Sequence, residues 1–234
     1  MPKKILILSL SFILISSTIA LANLKTISTI GYSQIEKTPD SGMIKAEIVG
    51  LGAGKANLEH KLRQRLNNLK DELTKKKEVN KDKITKSEIE SNNIEANDYK
   101  ATIILTIEFN EQEKDLATVS SNLIEIIDQA HPQRRATYNQ NYEFDYEIIQ
   151  AYYTFEQVEK YQQQLFETAL EVSQQKAESL AKINNFSSIE MIKIKEQEKT
   201  KDLMNYQEKI ELNQPQKPTA QSFSERLRVD YQFN

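Results

Sequence analysis

Apolar and polar residues alternate with a period of two over residues 43–51, where Ile44, Ala46 and Ile48 share one face and Lys45 and Glu47 the other. That period predicts a strand, and residues 26–35 read as its hairpin partner across a turn at Pro39, Asp40, Ser41 and Gly42. The period then changes. From Asn57, whose side chain suits an N-cap, Leu58, Leu62, Leu66, Leu69 and Leu73 recur at the spacing of one helical stripe. Ser87 to Glu95 and Tyr99 to Phe109 read as strands, and Leu116, Val119, Leu123, Ile126 and Ile127 mark a second helix stopped by His131 and Pro132. Between Tyr142 and Tyr153 the alternation is cleanest, with Tyr142, Phe144, Tyr146 and Ile148 on one face and Glu143, Asp145 and Glu147 on the other. A third helix, about Glu156 to Ile183, carries Val158, Tyr161, Leu165, Ala169, Val172 and Leu180 on its expected buried face and ends at Asn184 and Asn185. Residues 187–195 suggest another strand, and residues 198–220 a polar connector, extended and mobile, containing Pro215 and Pro218. The last strand sets Phe223, Leu227, Val229, Tyr231 and Phe233 against Arg226, Arg228, Asp230 and Gln232. Long helices between paired strands predict an α+β fold, antiparallel or mixed sheets covered by three long helices.

Ahead of these elements, Lys3 and Lys4 precede an apolar run from Ile5 to Ile19, followed by Ala20, Leu21 and Ala22. A positive start, an apolar middle and small residues in A-x-A spacing describe a secretory signal peptide at residues 1–22, cleaved near Ala22. The run falls short of the ~20 residues that cross a bilayer as a helix. The expected address is periplasmic or secreted, with possible outer-membrane association; no cysteine follows the run to take a lipid. Of the 234 residues 38% are hydrophobic, but the leader holds 14 of them, so residues 23–234 are only about 35% apolar, lean for a globular core. The same stretch has 29 basic and 34 acidic residues, a net charge of −5. The absence of cysteine excludes disulfide frameworks, thiol nucleophiles and cysteine-rich zinc sites.

Several motifs, in order, resemble the SIMPL domain family, also called DUF541. They are Ile27, Ser28 and Gly31 with the Pro39, Asp40 turn; Asp82, Ile84 and Thr85 after the first helix; Tyr99 and Ala101 opening an apolar strand; and Lys176, Ala177, Glu178, Leu180 and Ala181 in the third helix. The chain departs from the family at Asn184 and Asn185, where a glycine is usual, and at Ser173, where alanine is frequent. The resemblance covers nearly all of residues 23–234 and implies a SIMPL-like fold in an exported envelope protein. It is similar to members linked to oxidative stress defence and to an envelope antigen that assembles into a large ring. The family supplies no catalytic residues to carry over.

Gly50, Gly52, Gly54 and Lys55 superficially suggest a phosphate loop, but Val49 and Ala56 stand where a P-loop needs glycine and a hydroxyl, and Lys55 where a dinucleotide fingerprint needs glycine. Glu143, Asp145 and Glu147 lack the wrapping, glycine-containing loop that calcium requires. His60 and His131 show no zinc-ligand spacing, and no G-x-S-x-G occurs. The expected catalytic, cofactor and metal sets are therefore empty. Two surfaces remain. Tyr142, Phe144 and Tyr146, with Tyr152 and Tyr153 beyond, are either core beneath the third helix or a patch that meets another subunit or ligand. Residues 61–86 hold ten basic against four acidic residues; Lys75, Lys76, Lys77, Lys81 and Lys83 form either a solvated face or a patch for anionic lipid or an acidic neighbour. Export disfavours nucleic acid. The expectation is a non-enzymatic envelope protein acting by self-association, in stress defence or envelope integrity. The alternative is a monomeric periplasmic binding module for a small ligand or peptide.

Overall fold

A computed structural model describes residues 26–75, 79–110, 115–130, 142–186, 188–199 and 202–233. The expected leader, Lys76, Lys77, His131 and Pro132 lie outside the described residues. In chain order the elements are β1 (Thr26–Lys37), β2 (Ser41–Ala53), α1 (Lys55–Lys75), a short 3-10 turn (Lys81–Lys83), β3 (Ile84–Lys86), β4 (Glu90–Glu95), β5 (Asp98–Asn110), α2 (Leu116–Ala130), β6 (Tyr142–Thr154), α3 (Val158–Ile183), β7 (Ile189–Lys199), β8 (Glu208–Lys209) and β9 (Gln221–Phe233). The fold is α+β, with three helices and two antiparallel sheets among the described residues. The sheets belong to two compact units, one within Lys37–Gln157 and Met204–Gln221, the other within residues 26–36, Val158–Leu203 and residues 222–233.

The first unit holds a six-stranded sheet in the order β3-β5-β2-β6-β8, with β4 also on β5. Alternation in β2 and β5 sends Ile44, Ala46, Ile48, Ala101, Ile103, Leu105 and Ile107 to one face, where they pack against the α1 leucines and the apolar side of α2. Each of the five leucines is buried, worth about 1.5–3 kcal/mol apiece in apolar transfer. The helix starts two residues before Asn57. Gly54, at a φ of +78° that disfavours a side chain, turns the strand into α1 and its carbonyl accepts the Leu58 N–H. Residues 198–220, expected as an extended, mobile connector, are anchored at several points: β7 runs to Lys199, β8 pairs with β6, Leu203 and Ile210 are buried, and Glu208 accepts the Thr219 N–H. The apolar residues spaced through this polar stretch give it anchors.

The second unit holds the sheet β1-β9-β7 with α3 packed on it. The buried stripe of α3 is Leu165, Ala169, Ser173, Ala177 and Ala181, whereas Val172 and Leu180 are only half-buried. The stripe is small because the helix lies almost against the strand. A Cβ on Gly31 would fall 1.7 Å from the Ala169 carbonyl oxygen. Hydroxyls fasten this contact: Ser33 donates to the Leu165 carbonyl (2.6 Å), Thr29 to the Ser173 carbonyl (2.9 Å), and the Ser173 hydroxyl lies 3.2 Å from that of Tyr231. Asn185, at a φ of 58°, closes the helix in a Schellman arrangement, with the Phe186 N–H on the Ala181 carbonyl and the Asn185 N–H on that of Lys182.

Candidate functional site

The aromatic strand β6 divides at a bulge. Its register against β2 shifts between Lys45 and Ala46, leaving Ile149 as the extra residue. Before the bulge Tyr142, Phe144, Tyr146 and Ile148 share the helix-covered face; after it the same face takes Ala151 and Tyr153, and Tyr152 turns to the other. The five candidate aromatics therefore do not form one patch. Phe144, Tyr146 and Tyr153 belong to the core, Tyr153 with only 2% of its surface exposed, and Tyr142 packs at the margin. The covering helices are α1 and α2, not α3. Arg65 of α1 lies 5.5 Å from the Phe144 ring centre and Lys61 5.8 Å from that of Tyr142. The Tyr153 hydroxyl lies 3.0 Å from that of Ser120 on α2 and donates to the Gln216 carbonyl at 2.9 Å. Burial raises the phenol pKa of Tyr146 and Tyr153, the nearby Arg65 cation and the Ser120 hydroxyl respectively opposing it. Tyr152, on the far face, donates to the Met43 sulfur at 3.0 Å.

Of the five lysines of the basic cluster, three are among the described residues. Lys75 and Lys81 are exposed, Lys83 is 3.6 Å from Glu156, and Lys76 and Lys77 lie outside the described residues. Lys70, which sequence reasoning did not single out, donates to the Ile84 carbonyl at 2.9 Å. Its pKa is lowered by burial first, then by Lys86 and Lys81.

Charge is more regular on the sheet faces opposite the packed helices. On the six-stranded sheet, Glu143, Asp145 and Glu147 of β6 share that face, and Glu47 of β2 stands directly opposite Glu147. On the three-stranded sheet the face away from α3 carries Lys193 and Lys195 of β7 with Arg226 and Arg228 of β9, and Lys195 stands directly opposite Arg228. Arg228 also pairs with Asp230 at 3.4 Å. Like charges directly opposite weaken a strand pair. Alternation in the sequence shows each row; the cross-strand register that sets like against like is visible only in the fold. Among the described residues no group of three or more histidine, aspartate or glutamate side chains is placed to hold a metal ion, and no helix is long and apolar enough to cross a membrane.

The family described as SIMPL, protein of unknown function (DUF541), matches residues 27–231. No curated protein matches the chain. Among solved structures, a crystal structure of an amidase of the hydantoinase/carbamoylase family from Burkholderia phymatum is similar over 59% of this chain, at 12% identity and a TM-score of 0.33. The chain covers 35% of that structure's length. A likeness of that degree carries no argument about activity.

Proposed function

The chain belongs to the SIMPL (DUF541) family, and from that premise we propose that it is an exported envelope protein acting by self-association rather than by turnover, in stress defence or envelope integrity. One observation carries the reading. Apolar side chains gather in the open on and beside β7: Met191, Ile192 and Ile194 are 46%, 49% and 37% exposed, and Ile183 and Phe186 at the end of α3 are exposed as well. An edge strand with exposed apolar residues invites pairing with another chain unless something covers it. The leader-like N-terminus and the lean apolar content of residues 23–234 support the same reading.

A second reading, a monomeric binding module, draws on a cleft of about 300 Å³ where the bulge of β6 meets β8, lined by Ile149, Tyr152, Ile210 and Leu212 among others. Light scattering on the purified chain from residue 23 separates the two. The self-association reading expects a mass several times that of one chain at micromolar concentration; a clean monomer overturns it in favour of the binding module.

A further inference from the structure

Two strand edges in different units match each other. Among the described residues, β6 is paired by β2 along one side, but along the other only by β8, at Tyr152 and Tyr153. Along Tyr142 to Gln150 no strand among the described residues pairs on that side. β7 is the outermost strand of its own sheet. We propose that β7 of one copy adds antiparallel to the open edge of β6 of a second copy, joining copies head to tail. This rests on the self-association reading and names its surfaces.

Backbone direction permits the pairing. Ala151, whose side chain shares the helix-covered face with Tyr146, sends its carbonyl to the Ile210 N–H on the β8 side. By strand alternation the amide groups of Tyr142, Phe144, Tyr146 and Ile148 therefore point to the open edge. The Asp145 carboxylate accepts the Tyr146 N–H at 2.9 Å, a contact that an added strand's carbonyl can replace. In the other sheet, the Ile30 carbonyl, on the face away from α3, accepts Lys176 at the open side of β1. Alternation carried through β9 then points the amide groups of the α3-facing residues of β7, Met191 and Ile194 included, to the open edge of β7. An antiparallel junction between β6 and β7 consequently brings helix-facing residues opposite helix-facing residues and outward residues opposite outward ones.

Side-chain chemistry selects the register. With Tyr146 opposite Ile194, Glu147 meets Lys193 and Asp145 meets Lys195 on the outward face, while Ile194 gains an aromatic neighbour on the other. The junction also answers both like-charge pairs: the row of Glu47 and Glu147 runs on to Lys193, and the row of Lys195 and Arg228 runs on to Asp145, across one continuous sheet. Because the two edges differ, the contact is heterologous, and repetition gives a ring where the rotation closes and a filament where it does not.

The test uses the full chain from residue 23, with light scattering over a dilution series and circular dichroism as a check on folding. Glu147→Lys and Lys193→Glu each place like charges at the junction and are expected to raise the apparent Kd by about tenfold or more, with unchanged circular dichroism. Combining the two in one chain is expected to restore assembly. If the natural chain assembles and neither reversal weakens it, or the combination fails to restore it, the β6–β7 junction is wrong while self-association stands. A natural chain that stays monomeric removes both.

Discussion

Ser173 shows what a single hydroxyl does in a helix that lies nearly on a strand. Its carbonyl takes the Thr29 hydroxyl, and its side chain lies within hydrogen-bond distance of both Thr29 and Tyr231. Ser173→Ala preserves the close approach but strips the Tyr231 hydroxyl of a buried neighbour, and is expected to lower stability by about 1 kcal/mol in urea unfolding. Glu225 is a different case. It is buried on β9 opposite Lys199, and burial raises its carboxyl pKa above the ordinary carboxylate range, with Lys199 opposing and Glu196 adding to the rise. A carboxyl that holds its proton more firmly when folded supports the fold fully below the unfolded pKa. That support is lost as pH rises through the folded value. Glu225→Gln should therefore raise Tm at pH 7 and flatten the fall in stability across that window, as thermal melts at several pH values would show. An unchanged pH profile would mean that Glu225 is not the group responsible.

At the level of elements, the leucine spacing of α1 and the alternation of β2, β5 and the first half of β6 lead directly to the observed core faces. A repeated period reports which side is buried without knowledge of the neighbour. What lies against that side is not contained in the period. Sequence leaves the β6 aromatics either under the third helix or on a contact patch, whereas α1 and α2 cover most of them, because helix-to-sheet partnership depends on long-range pairing. The bulge at Ile149 shows in the sequence only as Ile149 and Gln150 falling out of alternation, yet it exchanges the faces of Tyr152 and Tyr153, so that Tyr153 and not Tyr152 enters the core. The stripe of α3 is misread for a third reason, since a pattern weighted toward large side chains overlooks a contact built from Ala169, Ser173, Ala177 and Gly31. The bulge supplies a paired test. Tyr146→Ser, a few residues before it, is expected to cost about 3–5 kcal/mol, as for other buried aromatics cut to a small residue. Ile149→Ser, at the exposed bulge position, should stay within about 0.5 kcal/mol. Equal costs in chemical denaturation would contradict the assigned faces.

For the molecule as a whole, family and fold class are legible in the chain, but its division is not. One unit is cut from two stretches of sequence and the other from three, and only the pairing of β1 with β9 across nearly the whole chain makes that visible. The candidate surfaces follow the same rule. Rows of like charge are readable as alternation, while the opposition of Glu47 to Glu147 and of Lys195 to Arg228 requires the register. The middle position of β9, between β1 and β7, also sets a schedule for the growing polypeptide. Lys37–Gln157 can begin to collapse while synthesis continues, but β1, made near the start, must wait for its neighbour until Gln221–Phe233 emerges. For that interval one side of the polypeptide remains unfinished and exposed to helpers or proteases, and a transcript stopping before Gln221 would leave it so permanently.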